Sequence, residues 1–135
     1  MWSRRTLAAV TALGVAAALG GCGGTNISGQ VKAKVRQFAR AAAARDYATI
    51  CRQVLAPALL ADLRRGGIGC ERAMSIALSR VRRPRLAVGN VKVDGKHASA
   101  LAISQAANQK TVLTSIQLVD TARGWRISSL GSPVG

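Results

Sequence analysis

From residue 28 onward the apolar positions recur first with a helical spacing and later with an alternating one. Val31, Val35, Phe38 and Ala42 follow one another at steps of four, three and four, which places them on one face of a helix over residues 28–47. Lys32, Arg36, Arg40 and Arg45 occupy the remaining faces. Ser28 is the expected N-cap, the alanines at 41–44 favour helix, and Asp46 marks the break. The stretch "YATICRQVL" (47–55) predicts a second short helix with Ile50, Cys51 and Val54 inward. Pro57 suits the first turn of a third, "PALLADLRR", which "GGIG" terminates. A fourth is expected over 70–81 with Ala73, Ile76, Ala77 and Arg80 along its inner side.

After Pro84 the period drops to two. "RLAVGNVKV" runs to Asp94-Gly95, a strong hairpin signal, and "KHASALAIS" follows it. A loop over 107–109 precedes "KTVLTSIQLV", where Val112, Thr114, Ile116 and Leu118 share one face and Leu113 and Val119 the other. A turn over 120–124 leads to "WRISSL", with Trp125 and Ile127 on one side. No internal repeat interrupts this order. Helices followed by strands predict an α+β domain: N-terminal helices packed on a curved four-stranded antiparallel sheet that covers the stripe of the first helix.

The first residues follow a different pattern. Arg4 and Arg5 precede an uncharged run from Leu7 to Leu19. As a helix those thirteen residues span about 20 Å, short of a hydrocarbon core of about 30 Å. This is the layout of a secretory signal. Its end, Leu19-Gly20-Gly21-Cys22, resembles the lipobox of bacterial lipoproteins. That resemblance implies cleavage before Cys22 and acylation of it, so that diacylglyceryl and palmitate-type chains hold the protein at the extracytoplasmic face of the cell membrane. The expected divisions are a signal peptide over 1–21, the lipidated cysteine and a flexible tether over 22–29, and one domain over 30–131. "SRRTL" also resembles a twin-arginine export signal, with Leu7 and Ala8 in place of its usual residues, and both export routes stay open.

The chain of 135 residues carries 20 Lys and Arg against 5 Asp and Glu, a net +15. Losing Arg4 and Arg5 with the signal would leave +13. Such a domain attracts anionic partners. Phe38, Tyr47 and Trp125 are the only aromatics after the signal, too few for the stacking that single-stranded nucleic acid requires. The expected partners are therefore anionic lipid, a wall polymer or an envelope protein, and not nucleic acid. Cys51 and Cys70 predict a disulfide in an exported domain, contributing roughly 3 kcal/mol, with a pair of buried thiols as the alternative. Two cysteines without a nearby histidine do not fill a zinc site, and no cofactor is expected.

The long first helix, "ARDYATIC", "GIGCERA", "VKVDGKHASALA" and the closing "GWRISSL" together resemble small exported proteins of the nuclear-transport-factor-2-like superfamily, with SnoaL-like and cystatin-like folds, over residues 28–131. The resemblance implies a sheet wrapped round the first helix as a cone, with an end that holds an apolar ligand. Phe38, Tyr47 and Trp125 are the candidate pocket residues. Family enzymes of the isomerase and cyclase type use an aspartate base with acidic, tyrosine or histidine partners. Here Asp46, Asp94 and Asp120 fall at breaks or turns, where aspartate is favoured locally. Asp62 lies beside Arg64 and Arg65, Glu71 begins the fourth helix, and His97 stands alone past the hairpin. No catalytic constellation or phosphate loop is present. "RVRRPR" instead offers Arg80, Arg82, Arg83 and Arg85 as a candidate anion clamp. The leading expectation is a non-catalytic ligand- or partner-binding lipoprotein. A small pocket enzyme and a structural subunit of an envelope complex are the alternatives.

Overall fold

The computed structural model describes residues 26–131 together with 133 and 134. The expected signal and the lipidation of Cys22 lie outside the described residues. Helix α1 spans Ile27–Ala43 and buries Val31, Val35, Phe38, Ala41 and Ala42, the predicted stripe with Ala41 added. Its N-cap is Asn26, not Ser28. The Asn26 side chain accepts from the Gly29 N–H at 2.9 Å, so the helix starts two residues early and takes up the end of the expected tether.

Arg45 ends this helix with φ 58, a left-handed conformation that turns the chain. Asp46 then caps the short α2, Tyr47–Thr49. Its carboxylate accepts from the Thr49 hydroxyl at 2.7 Å and from the Thr49 N–H at 3.0 Å. These two bonds, hydroxyl first, hold Asp46 below the ordinary aspartate range, and Arg52 adds to the effect. A depressed carboxylate stabilises the fold above its unfolded value, about 3.9, and that contribution disappears as pH falls through the lower folded value. Asp46→Ala is therefore expected to lower the melting temperature by a few degrees at neutral pH. Thermal scans on both proteins should show the gap narrowing below about pH 4.

A π-helical turn, Ile50–Val54, continues from α2 and closes with the Leu55 N–H on the Ile50 carbonyl at 3.0 Å. The wider turn brings Ile50, Cys51 and Val54 to the core together. Helix α3, Pro57–Arg65, has proline in its first turn and buries no residue completely. Helix α4 is Cys70–Leu78 and ends three residues before the expected boundary.

The inner side of α4 also differs from the expectation. Met74 is buried, whereas Ile76, 53% exposed, and Ala77 face outward. The disulfide decides this phase. Cys51 and Cys70 are bonded, with Cα atoms 5.9 Å apart, so Cys70 must face the core. Ala73, Met74 and Leu78 then fall on the same side at helical spacing, and Ile76 falls opposite.

The sheet is antiparallel in the order β1-β2-β3-β4, with strands Arg85–Asp94, His97–Ala106, Gln109–Thr121 and Gly124–Ser129. Asp94 pairs with His97, so the first hairpin turns on Gly95-Lys96, one residue beyond the Asp94-Gly95 signal. Gly95 alone of the two has positive φ, at 56, the pattern of a type II′ turn. An extra residue between Val88 and Val91 makes a bulge at Gly89-Asn90 in β1 and bends the strand. Ala98, Ala100, Ala102, Ile116, Leu118, Trp125 and Ile127 are buried on the inner face and join the α1 stripe in one core. Leu55 forms a bridge alongside Ile127, and the Ala56 N–H donates to the Ile127 carbonyl at 2.8 Å. The helical layer is thereby stitched to β4.

Candidate ligand-binding cavity

Helix α1 does not cover the whole sheet. Where β1 begins, β2 ends and β3 begins, a cavity of about 200 Å³ remains. Phe38, Ala39 and Ala42 of α1 form its roof, and Leu86, Ala106 and Val112 line the sheet side. Val112 is on the inner face as predicted, yet it is 36% exposed because it lies at this uncovered end. Leu78, Val81 and Pro84 make the third wall. Arg85, Lys110, Ser104, Gln105 and Gln109 supply the polar lining. An apolar interior with a few polar groups is the usual form of a small-molecule site.

The third wall is irregular backbone, and its hydrogen bonds explain how it keeps its place. The guanidinium of Arg45 donates to the carbonyls of Leu78 and Val81, putting a cation at the C-terminal end of α4. Asn108, in the turn between β2 and β3, donates to the Arg80 carbonyl at 2.7 Å and accepts from the Arg82 N–H at 3.1 Å. The Ala107 N–H also donates to the Arg82 carbonyl at 2.9 Å. Together these bonds hold residues 78–82 across the end of the sheet. Arg83, with φ 48, then redirects the chain into β1.

Of the sequence candidates, Phe38 and Arg85 meet at this cavity. Arg80, Arg82 and Arg83 lie on the wall segment with exposed side chains. The only ion pair among the described residues joins Arg65 to Asp62, so no described acid neutralises these arginines. Tyr47 is half-buried against the core elsewhere. Trp125 is buried and borders a separate depression beside Lys34 and Arg40. Lys110, Asn108 and Arg45 escaped the sequence reading. A local signal existed for Asn108, an asparagine at a predicted loop. Arg45 and Lys110 gave none, because their partners are distant in sequence.

The cavity lining contains no Asp, Glu, His or Tyr. Asp46 is a helix cap, Asp62 pairs with Arg65, and Glu71 sits in the first turn of α4. Asp94 ends β1, Asp120 lies near the end of β3, and His97 is exposed at the start of β2. Among the described residues no three His, Cys, Asp or Glu side chains gather as metal ligands. No described helix is long and apolar enough to cross a membrane.

No family model matches the chain, and none of the curated proteins does. A solved structure shares its fold. It is the crystal structure of the Kfla4162 protein from Kribbella flavida, with a TM-score of 0.56 and 15% identity. The match covers 79% of this chain and 88% of that one. Identity at this level establishes the α+β architecture alone, and the chemistry has to be argued from this chain's own residues.

Proposed function

We propose that this chain is an exported lipoprotein, held at the extracytoplasmic face of the membrane through Cys22, whose domain binds a small amphipathic anion without converting it. The observation that carries the reading is the cavity under Phe38, apolar within and bordered by Arg85 and Lys110. Its volume of about 200 Å³ exceeds the roughly 150 Å³ of an apolar cavity known to take benzene. A short alkyl chain or a single ring therefore fits. The two cations suit a carboxylate or phosphate at its polar end. Export and lipidation are supported by the residues before and at Cys22. A cone of the nuclear-transport-factor-2-like kind is supported by the order of a long helix and a bulged antiparallel meander.

Titrating the protein with octanoate and with octanol separates the apolar and ionic contributions. Octanoate is expected to bind at least several-fold more tightly, and Arg85→Gln with Lys110→Gln should remove that difference. Phe38→Trp, which fills the roof, should weaken both ligands by about tenfold. Absence of saturable binding by either compound would overturn the reading. A pocket enzyme would need an acid, Tyr47 or His97 in the lining, and the lining supplies none. One observation favours the structural-subunit alternative. Ile103 and Leu113 are paired across β2 and β3 on the outer face, each 44% exposed.

A further inference from the structure

A second group of cations gathers at the opposite end of the sheet, drawn from segments that are far apart in sequence. A cavity of about 580 Å³ lies between the π-helical turn, α3 and the turn joining β3 to β4. Arg52, Arg123 and Arg126 line it over an apolar floor that includes Leu55 and Leu60, and no acid is in the lining. From the start of β3 at the first cavity to its end here, thirteen residues cover about 40 Å. The two sites are therefore separate.

None of the three arginines forms an ion pair among the described residues. Arg126 donates through Nη1 to the Arg52 carbonyl at 3.0 Å, while its Nε is buried without a hydrogen-bond partner among the described residues. Arg52 and Arg123 have exposed side chains and no ion pair with a described acid. Lys34 adjoins the group, donating to the Gln53 carbonyl at 3.0 Å. Burial, and then the charge of Arg126, hold Lys34 below the ordinary lysine range. Asp46, the acid that feels Arg52, is committed to Thr49. Like charges held together without an acid, one of them with an unused buried donor, form a site that an anion would complete.

We propose that Arg52, Arg123 and Arg126 form a second binding site, selective for a phosphate group attached to an apolar body. A carboxylate offers two oxygens and a single charge. A phosphate monoester presents three terminal oxygens and up to two charges to several guanidinium forks at once. The floor of Leu55 and Leu60 accommodates what the phosphate is attached to. Either a monoester lipid headgroup, as in phosphatidic acid, or a soluble organic phosphate monoester supplies this chemistry.

The test uses the full chain in neutral phosphatidylcholine nanodiscs, observing the arginine Nε–H NMR signals at fixed ionic strength while inorganic phosphate is added. Saturable shifts of the Arg126 signal are expected. In a variant carrying Arg52→Gln and Arg123→Gln, the apparent affinity should fall at least tenfold. Arg82→Gln with Arg83→Gln removes the same charge elsewhere and should leave it unchanged. Both pairs are exposed, and matching thermal transitions will confirm that both variants fold. Replacing a third of the lipid by phosphatidic acid distinguishes the sources. Shifts without added phosphate identify the headgroup, and shifts that still require phosphate identify a soluble ester. Non-saturating shifts, or equal losses in the two variants, would overturn the site in favour of general charge attraction.

Discussion

Ile127→Ala is expected to cost about 2–5 kcal/mol, which is a large share of a typical domain's total of about 5–15 kcal/mol. Ile127 is fully buried and faces Leu118 across the β3–β4 pair. Its carbonyl also holds the Ala56 N–H, beside the bridge from Leu55. Truncation leaves a void where sheet and helical layer meet, and the surrounding backbone cannot collapse without breaking that seam. Urea unfolding gives the measurement. Leu113→Ala on the outer face is the comparison, expected to cost under about 1 kcal/mol because its side chain is already half in water. Equal losses for the two variants would mean that the core has been placed on the wrong face.

Removing the Cys51–Cys70 bond should cost about 2–4 kcal/mol and lower the melting temperature by roughly 10–20 °C. The bond spans 19 positions, and it ties the π-helical turn to the first residue of α4. Met74 is the one buried side chain of that helix, with Ala73 and Leu78 partly buried against the core, so the bond supplies much of its anchorage. The loss is also expected to reach the first cavity, because Leu78 and Val81 in its wall follow directly from α4. Comparing the protein with a Cys51→Ala, Cys70→Ala variant by thermal scan, and then by octanoate titration well below both transitions, checks both effects. A fall in stability with unchanged octanoate affinity would show that Arg45 and Asn108 hold the wall without the disulfide.

Much of the architecture was legible because it rests on local patterns. The α1 stripe, the proline at the start of α3 and the alternation in β2 and β3 each follow from spacing within a few residues. Expectation and structure part where a distant partner decides. The phase of α4 depends on Cys51, nineteen residues back, so the apolar spacing within the helix indicated Ile76 when the bond turns Met74 inward. Capping by Asn26 in place of Ser28 reflects competition between two good caps, which local preference alone does not rank. The cavity was legible in part, through Phe38 and Arg85. Lys110 lines it and Asn108 holds its wall only because β2 and β3 fold back beside residues 78–85. The cluster at Arg126 gave no signal at all, since its members are scattered from residue 52 to 126.

The bulge at Gly89-Asn90 matters most for a protein crowded on a surface. Among the described residues no strand pairs with the outer edge of β1, whereas Leu55 lies against β4. A long flat strand in that position is a template on which neighbouring copies can pair edge to edge. Here the register breaks in the middle of the strand, and exposed Arg85 and Lys92 stand on either side of the break. An approaching copy would meet two short offset runs of backbone and like charge on both. On the proposed membrane anchor, dense packing would therefore bring these domains together without offering β1 as a straight edge for fibril growth.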